Sequence, residues 1–263
     1  MNIISRIAYK LRQSAAFIRY SQTPLPLILD SFKLKYGEFV AVSEEGLKFE
    51  ISSRDGECFT FYENLIRRDY LRHGIQLAPG DNVIDIGANT GLFGILAAQI
   101  VGPNGRVFAF EPARRTFARL KRNIELNGFN NITAINAAIG AFNGEAQLHL
   151  ADRSSLASLH EEVDGSTRLG EGFNAAETIR VETLASVMER FHLDEVNLLK
   201  LDCEGAEYDI IESLKPTMAR KIKQISMEVH QIQGHELSDI PHMLQDLGFT
   251  TSNTYPLVAF PLV

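Results

Sequence analysis

The sequence predicts an α/β fold in which a mostly parallel sheet carries helices on both faces. Three observations predict it. From residue 81 onward, short apolar runs alternate with stretches of helical spacing. The runs, such as VIDIG (83–87), VFAF (107–110) and VNLLKL (196–201), are almost continuously apolar, as strands buried on both faces must be. Several of them end on a glycine or an acid, the residues that turn a chain from a strand into a helix.

The N-terminal stretch MNIISRIAYKLRQSAAFIRY places Ile3, Ile4, Ile7, Leu11, Ala15 and Ile18 on one helical stripe, with Arg6, Lys10, Arg12 and Arg19 around it. The expectation is a helix whose stripe packs on the domain or on a partner subunit. A basic amphipathic helix of this kind also suits peripheral contact with a membrane. Thr23-Pro24-Leu25-Pro26 ends it. Residues 37–62, with turn signals at Gly37, Glu45-Gly46 and Asp55-Gly56, read as a small β-meander whose last strand is ECFTFY (57–62). Residues 62–77 read as helical. Strands are then expected at 83–87, 105–112, 131–140, 144–151, 196–202 and 223–230, with a final β-pair over 249–260. Helices are expected at 91–101, 113–128, 182–191, 206–214 and 237–248. The polar, Gly/Ser-rich segment 152–178 reads as a long inserted loop, a lid or a surface excursion. The chain thus divides into an N-terminal α+β extension, 1–60, and a main domain, 61–263.

The composition is that of an ordinary globular protein, 45% hydrophobic and 22% charged over 263 residues. A net charge of −7 gives no overall nucleic-acid footprint. Cys58 and Cys203 form no CxxC pair, which argues against a disulfide framework or zinc knuckle and suits a reducing cytoplasm. No apolar run approaches the ~18 residues of a transmembrane helix. No continuous apolar segment suggests a secretory signal.

In open α/β sheets, ligands bind beyond the carboxyl ends of the strands. The first main-domain strand ends DIGANTG: Asp85 closes the strand, and Gly87, Ala88, Asn89, Thr90 and Gly91 make the turn. Glu111, followed by Pro112, ends the second strand 24 residues after Gly87, a distance that suits a carboxylate gripping a ribose hydroxyl pair. A dinucleotide loop places a second glycine where Asn89 stands, so the ligand is expected to lack a pyrophosphate. A plain βα turn is the alternative.

VIDIGANTG, VFAFEP, NAAIG, LKLDCEGAE and MEVH, in this order and spacing over residues 60–260, resemble the FkbM family of S-adenosylmethionine-dependent methyltransferases. The resemblance implies a Rossmann-like class I methyltransferase sheet of seven strands with a reversed last hairpin. It also implies O-methylation of hydroxyls on sugars, polyketides, peptides or related metabolites. By resemblance, Gly87, Asn89 and Gly91 cradle the methionine moiety, Glu111 holds the ribose, and Ala137 and Ala138 lie along the adenine.

LDCEGAE (201–207) sets three acids around a cysteine at a strand end. Alternation puts Lys200 and Asp202 on one face, and Glu228 and His230 of the next strand emerge near them. Methyl transfer to oxygen is an in-line displacement at a sulfonium, and the protein must align the hydroxyl and take its proton. Asp202, Glu204, His230 and Lys200 are the candidate catalytic residues. Acid/base catalysis without a metal ranks first. In the alternative, Mg²⁺ held by Asp202, Glu228 and His230 polarises the hydroxyl. Glu207, and to a lesser degree Glu204, also suit capping of the following helix, and Cys203 reads as a small buried residue.

Other classes fit less well. Gly87, Gly91 and Gly94 imitate a short-chain dehydrogenase loop with the wrong last spacing, and no tyrosine has a lysine four residues later. The N/D-P-P-Y/F signature of many N-methylating enzymes is replaced by LDCE. A non-catalytic S-adenosylmethionine-binding scaffold is the remaining rival. The expected acceptor is a hydroxyl on a small molecule or glycan. A homodimer through the first helix and Pro256–Val263 is a further possibility.

Overall fold

The computed structural model describes residues 3–53, 55–150, 157–158, 175–252 and 254–262. Its main sheet has seven strands. From one edge to the other they are β12 (Phe249–Thr251), β13 (Leu257–Pro261), β11 (Ile225–Met227), β10 (Leu198–Leu201), β3 (Asn82–Ile86), β4 (Arg106–Phe110) and β5 (Ile132–Ile135). Only β13 runs against its neighbours. This is the seven-stranded sheet with a reversed last hairpin that the resemblance implies.

Side-chain alternation sorts the strands onto two cores. Ile84, Ile86, Phe108, Phe110, Leu199 and Leu201 face one, closed by helices Glu207–Ser213 and Asp239–Asp246 through Tyr208, Ile211, Ile240 and Leu244. Val83, Val107, Ala109 and Leu198 face the other, closed by α4 (Leu92–Val101) and α5 (Arg114–Asn127) through Ile95, Leu96 and Leu120. The order of β3 and β10 brings Gly87 and Asp202 to one edge, as the sequence reading requires.

Four expectations are revised. ECFTFY is not a strand: Glu57–Phe61 is a helix, followed by a π-helix at Tyr62–Arg67 and a 3-10 turn at Asp69–Leu71. The Glu57 carboxylate accepts the Ser52 N–H at 2.7 Å and pairs with Arg119, which draws the chain inward after Gly56 and buries Cys58 and Phe61. The meander is therefore a two-stranded hairpin, Glu38–Val42 with Lys48–Ser52. The predicted strand 131–140 breaks at Asn136, whose side-chain amide donates to the carbonyls of Glu111 (2.9 Å) and Pro112 (2.8 Å). Its second half, Ala138–Ile139, joins a side sheet with Ala175–Glu182, Gly144–Leu150 and Ala157–Ser158. Of the expected 152–178 insert, 175–178 are thus strand, and apart from 157–158 the rest lies outside the described residues. Finally, helix α1 (Ile3–Tyr20) packs on the body through Gln13 and Phe17, whereas Ile7, Leu11 and Ile18 of its apolar stripe are exposed.

The Arg119–Glu57 pair ties α5 to the N-terminal hairpin, with Arg119 also donating to the Glu50 carbonyl at 3.0 Å. Both side chains are buried. Arg119→Ala leaves a buried carboxylate uncompensated, so it is expected to cost about 3–5 kcal/mol in denaturant unfolding.

Candidate active site

The glycine turn is shaped by the strand beside it. Gly87 has a φ of +71°, and a Cβ there would lie 1.7 Å from the Asp202 carbonyl oxygen. Asn89 holds a left-handed φ of +49°, a conformation asparagine tolerates better than most residues. Its N–H donates to Glu111 Oε2 at 2.9 Å, and the Ala113 N–H donates to Glu111 Oε1 at 2.9 Å. Glu111 therefore clamps the first and second βα turns together. Burial pushes its carboxyl up to about 7, against these two backbone N–H groups.

Below the turn lies a buried ion pair. Lys200 faces Asp85 in register, and its Nζ sits 3.0 Å from Asp85 Oδ1 and 2.8 Å from the Gly87 carbonyl. It reaches Asp202 Oδ2 only at 3.8 Å. Lysine in mid-strand is thus explained first by Asp85, across the strands, rather than by Asp202, as the sequence suggested. Burial opposes the Lys200 charge, but Asp85 and then Asp202 outweigh it and hold its pKa above the ordinary lysine value.

A cavity of about 400 Å³ opens above these residues. One end is lined by Gly87, Ala88, Asn89, Glu111, Pro112, Ala137 and Ala138. The other end is lined by Lys200, Asp202, Glu204, Glu228 and His230. Asp85, Thr90 and Gly91 lie behind the wall. Asp85 holds Lys200, and Gly91 starts α4 against Leu120.

The acid end is a network. Tyr70 donates to Asp202 Oδ2 at 2.7 Å and approaches Glu228 Oε2 at 3.4 Å. The Tyr255 hydroxyl donates to Glu228. His230 Nδ1 is 3.1 Å from Glu207 Oε1, and its Nε2 lies 3.5 Å from Glu204 and 3.7 Å from Glu228. Glu207 also accepts the N–H groups of Cys203 and Gly205, both at 2.9 Å, so it ties the turn before the helix, whose N-cap Ala206 has no side-chain cap, rather than capping the helix as the sequence suggested. Glu204 sits in that turn with a φ of +52°.

Charge crowding sets the protonation. Burial pulls the His230 pKa down, but the hydrogen bond and charge of Glu207, then Glu204 and Asp202, lift it to about 10. His230 is therefore an imidazolium at neutral pH. Glu204 is pushed up to about 8 by burial, against His230. Glu63 also rises to about 8, by burial and then by Glu228, Asp69 and Asp202. The Cys203 thiol is driven far up by burial and by Glu207, which disqualifies it as a nucleophile.

Glu63, Tyr70 and Tyr255 were not found from the sequence. They come from the motif-free segment before residue 81 and from the last hairpin, so no local pattern marks them. Gly56, Phe59 and Thr60 line the same cavity, so residues ahead of the main sheet form part of the site wall.

The cavity's chemistry suits two kinds of group. Asn89 Oδ1, in the cavity wall, is buried without a hydrogen-bond partner, and the adjoining Ala137–Ala138 floor is apolar. This suits a ligand with one polar end and one flat apolar end, as an adenosylated amino acid has. Separately, one donor atom each from Asp202, Glu228 and His230 lie within 4.8 Å of one another, a spacing open to a divalent cation.

The methyltransferase FkbM domain model matches residues 85–255. The chain is 30% identical over 214 residues to the 31-O-demethyl-FK506 methyltransferase FkbM of Streptomyces tacrolimicus, covering 73% of this chain and 81% of that one. It is 22% identical over 188 residues to the hexuronic acid methyltransferase AglP of Haloferax volcanii, covering 71% of each. Among solved structures, fibrillarin of Aeropyrum pernix, in complex with S-adenosyl-L-methionine, matches at a TM-score of 0.44 and 15% identity, over 86% of this chain and 94% of that one. With the motifs, the sheet order and the cavity in agreement, the chain belongs to the FkbM family of S-adenosylmethionine-dependent methyltransferases.

Proposed function

We propose that this protein is an O-methyltransferase acting on a hydroxyl of a small molecule or glycan, with Asp202 as the general base. The observation that carries the reading is the placement of Asp202. It stands at the carboxyl end of β10, beside the glycine turn, with its Oδ2 fixed by the Tyr70 hydroxyl at 2.7 Å. When bound, S-adenosylmethionine supplies an activated methyl group on a sulfonium. Gly87 and Asn89 would hold its amino-acid end, Glu111 its ribose, and Ala137 and Ala138 its adenine, while Gly91, behind the wall, only shapes the turn. Asp202 would orient the acceptor hydroxyl and take its proton as the new C–O bond forms. Lys200 is a positioning residue: it fixes the Gly87 carbonyl and keeps the strand-end charges balanced. His230, already protonated, holds Glu204 and Glu228 in place rather than serving as the base.

The relatives' own names favour an oxygen acceptor. One names an oxygen position on its substrate and the other a sugar acid. The acid-lined end of the cavity disfavours a phosphate backbone as substrate. Both cysteines are free thiols, in keeping with a cytoplasmic protein.

Calorimetry with S-adenosylmethionine tests the cofactor half. Micromolar binding is expected, weakened at least tenfold in Glu111→Ala, since a charged acceptor of hydrogen bonds is worth about 1.5–3 kcal/mol. No binding to the wild-type protein overturns the reading as an active enzyme. Turnover on a panel of hydroxylated glycosides and polyketides tests the acceptor half.

The convergence of Asp202, Glu228 and His230 favours one second reading, in which Mg²⁺ displaces the His230 proton on binding and lowers the pKa of the acceptor hydroxyl. Undiminished turnover after exhaustive chelation removes it. Lost turnover, restored by Mg²⁺ or Mn²⁺, replaces the metal-free mechanism with it.

A further inference from the structure

Helix α1 is held to the body along one side. Tyr9 meets Tyr62 edge-on with ring centroids 6.4 Å apart, Phe17 contacts Phe61 and Tyr62, and Gln13 and Phe17 are buried. Ile7, Leu11 and Ile18 point away from these contacts. Ile7 is 53% exposed, Leu11 60% and Ile18 66%. At 100° per residue these three fall within about 40° of one another around the helix axis. Exposed Arg12 and Arg19 border the stripe on one side and exposed Arg6 lies towards the other. Leu25 and Leu34, further along the chain, are also largely exposed.

An exposed apolar row in water, interrupted only by Ser14, marks a surface that something covers. The helix does not need this stripe to hold itself on the domain, because a different face does that. Its flanks are basic: residues 1–40 carry six Lys and Arg against two acids, in a chain whose net charge is −7. A second copy docking by two-fold symmetry would bring this basic-bordered patch against its own copy, with no acidic partner for the arginines within it. An anionic lipid surface complements both parts, taking the apolar side chains among its acyl chains and the arginines at its phosphates.

We propose that helix Ile3–Tyr20 docks this protein on an anionic membrane surface, with Ile7, Leu11 and Ile18 entering the lipid and Arg6, Arg12 and Arg19 meeting the headgroups. No helix among the described residues is long and apolar enough to cross a membrane, so the contact is peripheral.

The test is co-sedimentation of the full chain with vesicles of mixed phosphatidylcholine and phosphatidylglycerol, beside vesicles of phosphatidylcholine alone. Binding to the anionic vesicles is expected, weaker in high salt and on neutral vesicles. The triple variant Ile7→Ser, Leu11→Ser, Ile18→Ser is expected to lose it while keeping its thermal midpoint. The double variant Arg12→Gln, Arg19→Gln, which leaves the apolar stripe intact, is expected to bind about thirtyfold more weakly. Absence of vesicle binding overturns the proposal, as does binding that survives both variants. A concentration-dependent dimer that the triple variant abolishes, without vesicle binding, assigns the stripe to a second copy and also overturns it. None of these readouts depends on methyl transfer, so failure here is separate from failure of the enzymatic reading.

Discussion

Asp202→Asn is expected to lower kcat by about 10²–10⁴, the usual contribution of a positioned general base, while leaving the S-adenosylmethionine Kd within a few-fold of wild type. The substitution keeps the size and the acceptor oxygen that Tyr70 binds at 2.7 Å, so the wall of the cavity should stand. What it removes is the capacity to hold a proton. The variant therefore separates the base from the cofactor pocket: kcat falls and cofactor binding does not. Near-normal turnover in Asp202→Asn, with turnover also intact in His230→Ala, overturns acid/base catalysis at this cluster. Tyr70→Phe is a milder companion. It removes the donor that orients Asp202 and is expected to lower kcat less than Asp202→Asn does.

Gly87→Ala is expected to be the most disruptive single-methyl change in the site. The added carbon would lie 1.7 Å from a backbone carbonyl oxygen, which no side-chain rearrangement relieves. Either β3 and β10 separate at their ends or the turn refolds. Both break the Lys200 contacts with Gly87 and Asp85. The expected result is a stability loss above about 4 kcal/mol in denaturant unfolding and no detectable cofactor binding. Gly80→Ala is a suitable control, since Gly80 also has a positive φ but no atom within 4 Å of an added carbon. Retained cofactor affinity in Gly87→Ala would show that the turn can shift without harm and that its geometry is not what shapes the pocket.

The strand-end residues were legible in the sequence because their signals are local. A glycine turn after an apolar run, or an acid closing the next run, is written in a few consecutive residues. Asp85, Gly87, Asn89, Glu111, Asp202, Glu228 and His230 all fall where that punctuation places them. Lys200 was visible as an anomaly, but its partner was not, because the register of β10 on β3 is a long-range fact. Glu63, Tyr70 and Tyr255 reach the site from segments whose patterns describe only their own backbone. The first helix shows a different limit. Periodicity reveals that a helix is amphipathic, but it does not say which side meets the protein. Here the buried side carries Gln13 and Phe17, which no hydrophobic count would select over isoleucine and leucine. ECFTFY failed for a related reason: over so short a run, apolar alternation and one helical turn look alike, and the choice rested on an ion pair to Arg119 far along the chain.

The pairing of β10 with β3 also bears on how the protein assembles itself. Lys200 and the Ile86 carbonyl it approaches are 114 residues apart in the chain. The glycine turn leaves the ribosome early, yet the strand that supports it and the base beside it follow only much later. Contacts of such separation form slowly, because a long loop must close before they are rewarded. The nascent N-terminal half should hold β3, β4 and β5 with one strand edge open and no cofactor site. Completion of the pocket would then coincide with the last stages of folding, and ligand protection in a pulse-labelling experiment should appear only with the closure of that edge.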